Sequence, residues 1–201
     1  MNWDDIAYDF QADKSSRYRH GGLDYDVMAH GYMGFYETRL KGIPVRNVLE
    51  IGVLEGCSLR LWKCLFPEAM IYGIDINEKC RQYATDRISI SILNQGDPKA
   101  MKEFADTCPM FDFIVDDGSH HGDDAYLSLT TLWDKLNPGA LYAIEDLGCT
   151  NYADPSKWDG WWEKKFREWA IQNGGTINAH PSLAHRDRID GTAVFFIDKG
   201  M

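Results

Sequence analysis

Asp116-Asp117 and Glu145-Asp146 each close a short apolar run, and His120 follows the first pair by three residues. Clustered carboxylates repel one another unless a cation or a proton intervenes. Two such pairs brought together therefore describe a seat for a hard metal ion, and an imidazole beside them a general base. The runs Phe111-Asp112-Phe113-Ile114-Val115 and Ala140-Leu141-Tyr142-Ala143-Ile144 are of the kind used by parallel sheets covered on both faces. Between them, Tyr126, Leu127, Leu129, Thr130 and Trp133 recur at helical spacing over Asp123 to Leu136, and Asn137-Pro138-Gly139 is expected to stop that helix. The unit reads as strand, helix, strand. If the two strands pair directly, their ends lie roughly 5 Å apart and both acid pairs can converge on one point. Successive strand residues face opposite ways, so one member of each pair can serve the site and the other a neighbouring task. The competing reading makes Asp116 to Ser119 and Glu145-Asp146 ordinary turns and helix caps with solvated histidines. Two pairs at adjacent strand ends favour a site, because open α/β sheets bind ligands there.

Upstream, Asn47-Val48-Leu49-Glu50-Ile51 reads as a first strand, Gly52 to Gly56 as a sharp turn, and about Ser58 to Phe66 as a helix. Gly52 and Gly56 suit a backbone that passes close beneath a ligand, and Ser58 is placed to cap the helix. A pyrophosphate loop would carry Gly-x-Gly-x-x-Gly with a helix N-terminus at the phosphates. Here Glu50 and Glu55 flank the turn and would repel phosphate, whereas a sulfonium cofactor with an amino-acid tail is cationic and has none. The second strand, Met70 to Ile74, ends at Asp75, about 20 residues after Gly52, the separation at which a carboxylate grips ribose hydroxyls. The third, Ile88 to Ile92, leads into Asn94-Gln95-Gly96-Asp97. Those amide and carboxylate groups can read an adenine edge, and equally form a turn and cap ahead of a helix starting near Pro98.

These motifs sit in a chain of 201 residues with no internal repeat or linker, which suits one α/β domain. No apolar run is long enough to span a membrane, and Met1 to Asp5 does not open a signal peptide, so a cytoplasmic location is expected. The five cysteines are scattered without a Cys-x-x-Cys pair, which disfavours zinc and disulfide frameworks and suits reduced, mostly buried thiols. A formal charge of −10 disfavours nucleic acid as a partner, since affinity for phosphates comes from Lys and Arg.

Leu49-Glu-Ile-Gly-Val-Leu-Glu-Gly-Cys-Ser-Leu-Arg-Leu-Trp62, Tyr72-Gly-Ile-Asp75, Asp116-Asp-Gly-Ser-His120 and Ile144-Glu-Asp-Leu147 together resemble the class I S-adenosylmethionine-dependent methyltransferases. Within them the chain is similar to the metal-dependent sugar O-methyltransferases of macrolide biosynthesis, of the mycinamicin and macrocin type, with cephalosporin-hydroxylase-like proteins related. Fainter echoes are Asp13-Lys14, His30-Gly31-Tyr32 and the closing Ala193 to Gly200.

The resemblance implies a Rossmann-like α/β fold, a seven-stranded mostly parallel sheet with an antiparallel edge strand. It also implies a single domain over 1–201: an N-terminal cover (1–41), a cofactor- and metal-binding core (47–146) and an acceptor side (147–201). The implied function is O-methylation of a small natural product on a hydroxyl, of a sugar or vicinal diol, using S-adenosylmethionine and Mg²⁺. The implied metal ligands are Asp117, Glu145 and Asp146, with His120 as base and His121 as its neighbouring rival or a substrate contact. Glu50, Gly52, Gly56, Asp75, Gln95, Asp97, Asp116 and Tyr32 are expected at the cofactor, and Thr150 and Tyr152 at the acceptor. His30, Tyr32 and Tyr36 are candidates to line the covered pocket, while Trp161, Trp162, Phe166 and Trp169 fall at helical spacing and read as core. The macrolide enzymes often carry an extra N-terminal domain for which this sequence has no room, so a more open pocket, or one completed by a second subunit of a homo-oligomer, is expected. The rival functions are a hydroxylase of the cephalosporin branch and a non-catalytic cofactor-binding module; a nicotinamide dehydrogenase is disfavoured by the acidic glycine turn.

Overall fold

A computed structural model of the chain describes residues 2–17, 19–20, 23–24, 30–146, 161–181 and 193–200. Two short helices, α1 (Trp3–Asp9) and α2 (Met33–Leu40), flank a small hairpin of β1 (Arg19–His20) and β2 (Leu23–Asp24). The core then alternates β3 (Asn47–Ile51), α3 (Cys57–Leu65), β4 (Met70–Asp75), β5 (Ile88–Ile92), α4 (Pro98–Thr107), β6 (Phe111–Asp116), α5 (Gly122–Leu132) and β7 (Leu136–Glu145). α6 (Trp161–Gln172), β8 (Gly175–Pro181) and β9 (Ala193–Lys199) close it.

The seven-stranded sheet has the order β5-β4-β3-β6-β7-β9-β8, parallel from β5 through β7. β9 is the reversed strand and lies between β7 and the edge strand β8, so the antiparallel pairing falls at one edge. Alternation along the strands builds two cores. Val48, Phe113, Val115, Leu141, Ala143 and Phe196 pack on one face against α1, α2 and α3. Leu49, Ile51, Ile114, Tyr142, Ile144 and Ile197 pack on the other against α4, α5 and α6. In the first core the Tyr36 ring makes edge contacts with Trp62, Phe113 and Phe196 at centroid distances of 5.2–5.6 Å. In the second, Phe166 is fully buried and Trp169 packs edge-on to Trp133, as the helical spacing of these aromatics predicts.

Several boundaries differ from the sequence expectation. The expected helix to Leu136 ends at Leu132, followed by a tight turn over Trp133–Lys135, and β7 runs through Asn137-Pro138-Gly139. This proline is tolerated because the β6–β7 register shifts between Phe111 and Phe113, where the ladder is interrupted. Helix α3 begins at Cys57 behind Gly56, whose φ of 66° makes the turn, and Ser58 is not its cap. α1 and α2 arise in a stretch without a long apolar period because each is short. α1 is seven residues with Ala7 as its buried position, and its start is set by the Asn2 side chain accepting from the Asp5 N–H. Among the described cysteines only Cys80 is buried; all four are free, and Cys64 lies on the exposed side of α3.

Candidate functional site

β3, β6 and β7 are neighbours in the sheet, with Ile51 opposite Asp116 and Asp116 opposite Ile144, so their C-terminal loops emerge side by side. The connections from β3 run outward to β4 and β5 on one side, while β6 and β7 lie on the other. The crevice between β3 and β6 is thus the switch point of the sheet. Gly52, at φ 93°, is pressed against the β6 loop: a Cβ there would fall 2.0 Å from the Asp117 carbonyl oxygen. No larger residue fits that approach. Gly118 returns the contact toward Gln95, whose Oε1 would lie 2.3 Å from an added Cβ.

Strand alternation sends the acids of these ends to different tasks. Glu50 and Glu145 share the face of Val48 and Ala143, which puts them against the N-terminal segment, and there they meet Lys14. Lys14 is fully buried and donates to Asp117 Oδ2 and Glu145 Oε2, each at 2.7 Å, with Glu50 Oε1 at 3.7 Å. The Tyr36 hydroxyl donates to Glu145 Oε1, and the Tyr32 hydroxyl to Asp146 Oδ1 at 2.6 Å. His120 Nε2 lies 3.2 Å from Asp117 Oδ1, and His30 Nε2 3.5 Å from Asp146 Oδ2. Burial alone would discharge Lys14, but the surrounding carboxylates hold its ammonium well above the ordinary range. Burial likewise raises Asp117, yet Lys14 and His120 outweigh it and keep that carboxyl below the usual range. Buried Glu50 and Glu145 and half-buried Asp117 share one ammonium, and desolvation pushes Glu50 up to about 7 against the pull of Lys14. On the opposite face Asp116 is buried with Gln95, whose Nε2 donates to both carboxylate oxygens at 2.8 Å and lies 3.0 Å from Ser128 Oγ. Burial pushes Asp116 up to about 6 even so.

Two cavities open along this crevice and share Gly52, Asp75 and Gly118. The narrower, about 190 Å³, has apolar walls of Ile51, Ile74, Ile76 and Leu93 and the amides of Asn94 and Gln95 at one end. The wider, about 440 Å³, is lined by Asp13, Glu55, Asp75, Asp117 and Asp146 together with His30 and His120.

Residues 49–147 match the family model described as a methyltransferase domain. The structure superposes on that of the MycE methyltransferase from the mycinamycin biosynthetic pathway, solved with Mg, SAH and mycinamycin VI, at a TM-score of 0.75 and 26% identity. That match covers 100% of this chain and 55% of the other. The chain has the class I methyltransferase fold. In sequence it is similar to 8-demethyl-8-alpha-L-rhamnosyl tetracenomycin-C 2'-O-methyltransferase of Streptomyces olivaceus, 36% identical over 138 residues, which are 64% of this chain and 36% of that protein. It is also similar to mycinamicin VI 2''-O-methyltransferase of Micromonospora griseorubida, 36% identical over 129 residues, 57% of this chain and 32% of that protein. The chain therefore spans about a third of the length of these curated relatives.

On the methyltransferase fold the expected site residues divide into those that face the crevice and those that do not. Gly52, Asp75, Gln95, Asp117, His120 and Asp146 all line one or both cavities. Asp75 accepts from the backbone N–H groups of Val53, Leu54 and Asn77 at 2.7–3.0 Å. These bonds overcome its burial and hold it below the ordinary carboxylate range. Asp97 instead caps α4, accepting from Lys99 and Ala100, which is the turn-and-cap alternative. Gly56 packs under the Tyr83 ring at the start of α3, and His121 is exposed at the start of α5. Glu50, Asp116 and Tyr32 are buried behind the cavity walls, because their strand faces and hydrogen bonds turn them inward. Thr150 and Tyr152 lie outside the described residues. Lys14 is the residue that sequence reading passed over except as a family echo. A signal existed, since acids on neighbouring strand ends need a buried cation and few lysines lie in the segment expected to cover them.

The donors suit a hard cation. Asp117, His120 and Asp146 each offer a ligand atom, all within 4.8 Å of one another. Glu145, the expected third ligand, stands outside that cluster because Lys14 and Tyr36 engage its two oxygens. The cavities suit a nucleoside with a cationic tail: apolar walls and amides at one end, Asp75 at the junction, carboxylates at the other.

Proposed function

We propose that this chain is an O-methyltransferase that uses S-adenosylmethionine and a divalent ion, Mg²⁺ by preference, to methylate a hydroxyl on a sugar or vicinal diol of a small natural product. The observation that carries this reading is that His120, Asp117 and Asp146 open onto the same cavity as Gly52 and Asp75. Asp117 and Asp146 would hold the ion, and Glu145, whose oxygens Lys14 and Tyr36 engage, lies behind them. Asp75 takes the ribose, with Asn94 and Gln95 at the adenine end. S-adenosylmethionine supplies the methyl group, and Mg²⁺ supplies Lewis acidity that eases deprotonation of an acceptor hydroxyl.

The chain's own part begins at His120, where Nε2 faces Asp117, so the imidazole takes the hydroxyl proton at Nδ1. Asp117, 3.2 Å away, orients the ring and stabilises the imidazolium that results. The protein mainly positions, because an in-line displacement depends on alignment of the reacting atoms. The sugar acceptor class is supported by the relatives named above, both O-methyltransferases by name, one of them for a rhamnosyl compound.

The test is calorimetric titration with S-adenosylhomocysteine, with turnover of a rhamnosylated polyketide followed by mass spectrometry. The expected product is heavier by one methyl group; chelation abolishes its formation while S-adenosylhomocysteine still binds. Turnover undiminished in excess chelator would falsify the metal's role, and a product heavier by one oxygen would point to the hydroxylase branch.

A further inference from the structure

Lys14 does something that neither the base nor the cofactor pocket explains. Its side chain is 1% exposed and is surrounded by acids from three different strand ends: Glu50 of β3, Asp117 after β6 and Glu145 of β7. The turn that delivers it is stitched in place. The His30 N–H donates to the Asp13 carbonyl at 2.8 Å, Gly31 to Ser15 at 2.9 Å and Met33 to Lys14 at 3.1 Å. The ammonium is therefore a fixed charge rather than a wandering surface one. It binds the Asp117 oxygen that is turned away from His120, and one of the two Glu145 oxygens. A divalent ion held by Asp117 and Asp146 would share the Asp117 carboxylate with this ammonium. Two cations drawing on one set of oxygens compete, and like charges at a few ångströms in a buried site weaken each other's binding strongly.

We propose that Lys14 is a positioning residue, a tethered cation that holds the carboxylate rim together and competes with the divalent ion for Asp117 and Glu145. The competition rests on the metal-assisted reading above, whereas the structural half needs no metal. Without Lys14, Glu50, Asp117 and Glu145 are left facing one another without their buried counter-charge, and Asp117 Oδ2 and Glu145 Oε2, the oxygens Lys14 held, become available to an ion.

The experiment compares the full chain with Lys14→Met, Lys14→Arg and the double variant Lys14→Met/Glu145→Gln. Each is melted in EDTA and then titrated with Mg²⁺ by calorimetry and by thermal shift. The expected result is a lower Tm in EDTA for Lys14→Met, partly restored in the double variant, which removes one of the acids left behind. Lys14→Met binds Mg²⁺ at least about tenfold more tightly than the wild type and gains more Tm from it, while Lys14→Arg behaves like the wild type. If Lys14→Met folds only when Mg²⁺ is added, the proposal is equally supported.

An unchanged Tm in EDTA, a double variant no more stable than Lys14→Met, or wild-type Mg²⁺ binding that Lys14→Met does not tighten would each overturn the role of Lys14 alone. Mg²⁺ binding to neither protein would overturn both the competition and the metal-assisted reading. A chain that folds in none of the Lys14→Met forms, with or without Mg²⁺, would also sink the proposal, because charge compensation would then not be what Lys14 provides.

Discussion

Gln11, Leu54, His120 and Asp146 hold left-handed backbones, with φ between 47° and 58°, and all four line the wider cavity. Such conformations cost a non-glycine residue about 1 kcal/mol or more, and they persist where surrounding packing over-determines them. Here they turn an imidazole and a carboxylate toward one point. His120→Asn is the informative substitution, because asparagine tolerates the left-handed region while removing the base. Turnover should fall by about 10²- to 10⁴-fold with little change in Tm or in S-adenosylhomocysteine affinity. A residual rate within a few-fold of the wild type would remove His120 from the mechanism. Gly52→Ala tests the close approach of the two loops. Its Cβ would sit 2.0 Å from the Asp117 carbonyl at a φ of 93°, so urea unfolding should show a loss of at least about 2 kcal/mol.

The elements separate structural from chemical carboxylates. β6 ends with Asp116 facing α5 and Asp117 facing the crevice, and the inward acid is tied to the loop after β5 through Gln95, which also accepts from the Ser119 N–H at 3.0 Å. One amide therefore links the loop after β5, the β6 loop and Ser128 of α5. Gln95→Leu takes from the buried Asp116 its two shortest hydrogen bonds, leaving only the longer ones from Gly118 and Tyr142, and should destabilise the fold by about 1–3 kcal/mol. Loss of S-adenosylhomocysteine affinity should accompany it, since Gln95 also lines the narrower cavity. Unfolding at the wild-type urea midpoint would show that the link carries no weight. The aromatic layer around Tyr36 does the corresponding work on the other face, fixing the hydroxyl that Glu145 accepts.

Across the whole molecule, the burial of acids makes stability depend on pH in a direction that can be worked out. Glu50 is ordinarily half-protonated near 4.5 and is pushed up to about 7 in the fold. Between those values the folded chain binds a proton that the unfolded chain releases, so this group's contribution is greatest below about 4.5 and declines as pH rises to about 7. The decline amounts to no more than about 3 kcal/mol. Asp117 acts in the opposite sense: its carboxyl is held low by Lys14 and His120, so its contribution is present above its ordinary range and is lost on acidification. Melting curves from pH 5 to 8 should thus show a fall in Tm that Glu50→Gln flattens. An equal slope in both proteins would place the titration elsewhere.

The β-α alternation, the acidic glycine turn and the pairing of β6 with β7 were legible in the residue order. Each is set by short-range rules: two-residue alternation of Phe113 and Val115 against Ile114, a glycine where the chain doubles back, a carboxylate where an apolar run stops. Asp117 and His120 were legible for the same reason, lying three residues apart on one turn. The helix does end before Asn137-Pro138-Gly139, but the strand expected from Ala140 starts at Leu136, because a register shift lets it run through the proline. Asp97 reads alike as a helix cap and as a cofactor contact by type alone, since a capping acid and a ligand-facing acid have the same local pattern. The division of labour within Glu145-Asp146 lay beyond residue order altogether. Which of the two keeps an oxygen for the cavity depends on Lys14, 131 residues away from Glu145, and on hydroxyls from α2 and the residue before it. Local pattern specifies where a charge leaves a strand; only the folded chain specifies which counter-charge waits for it there.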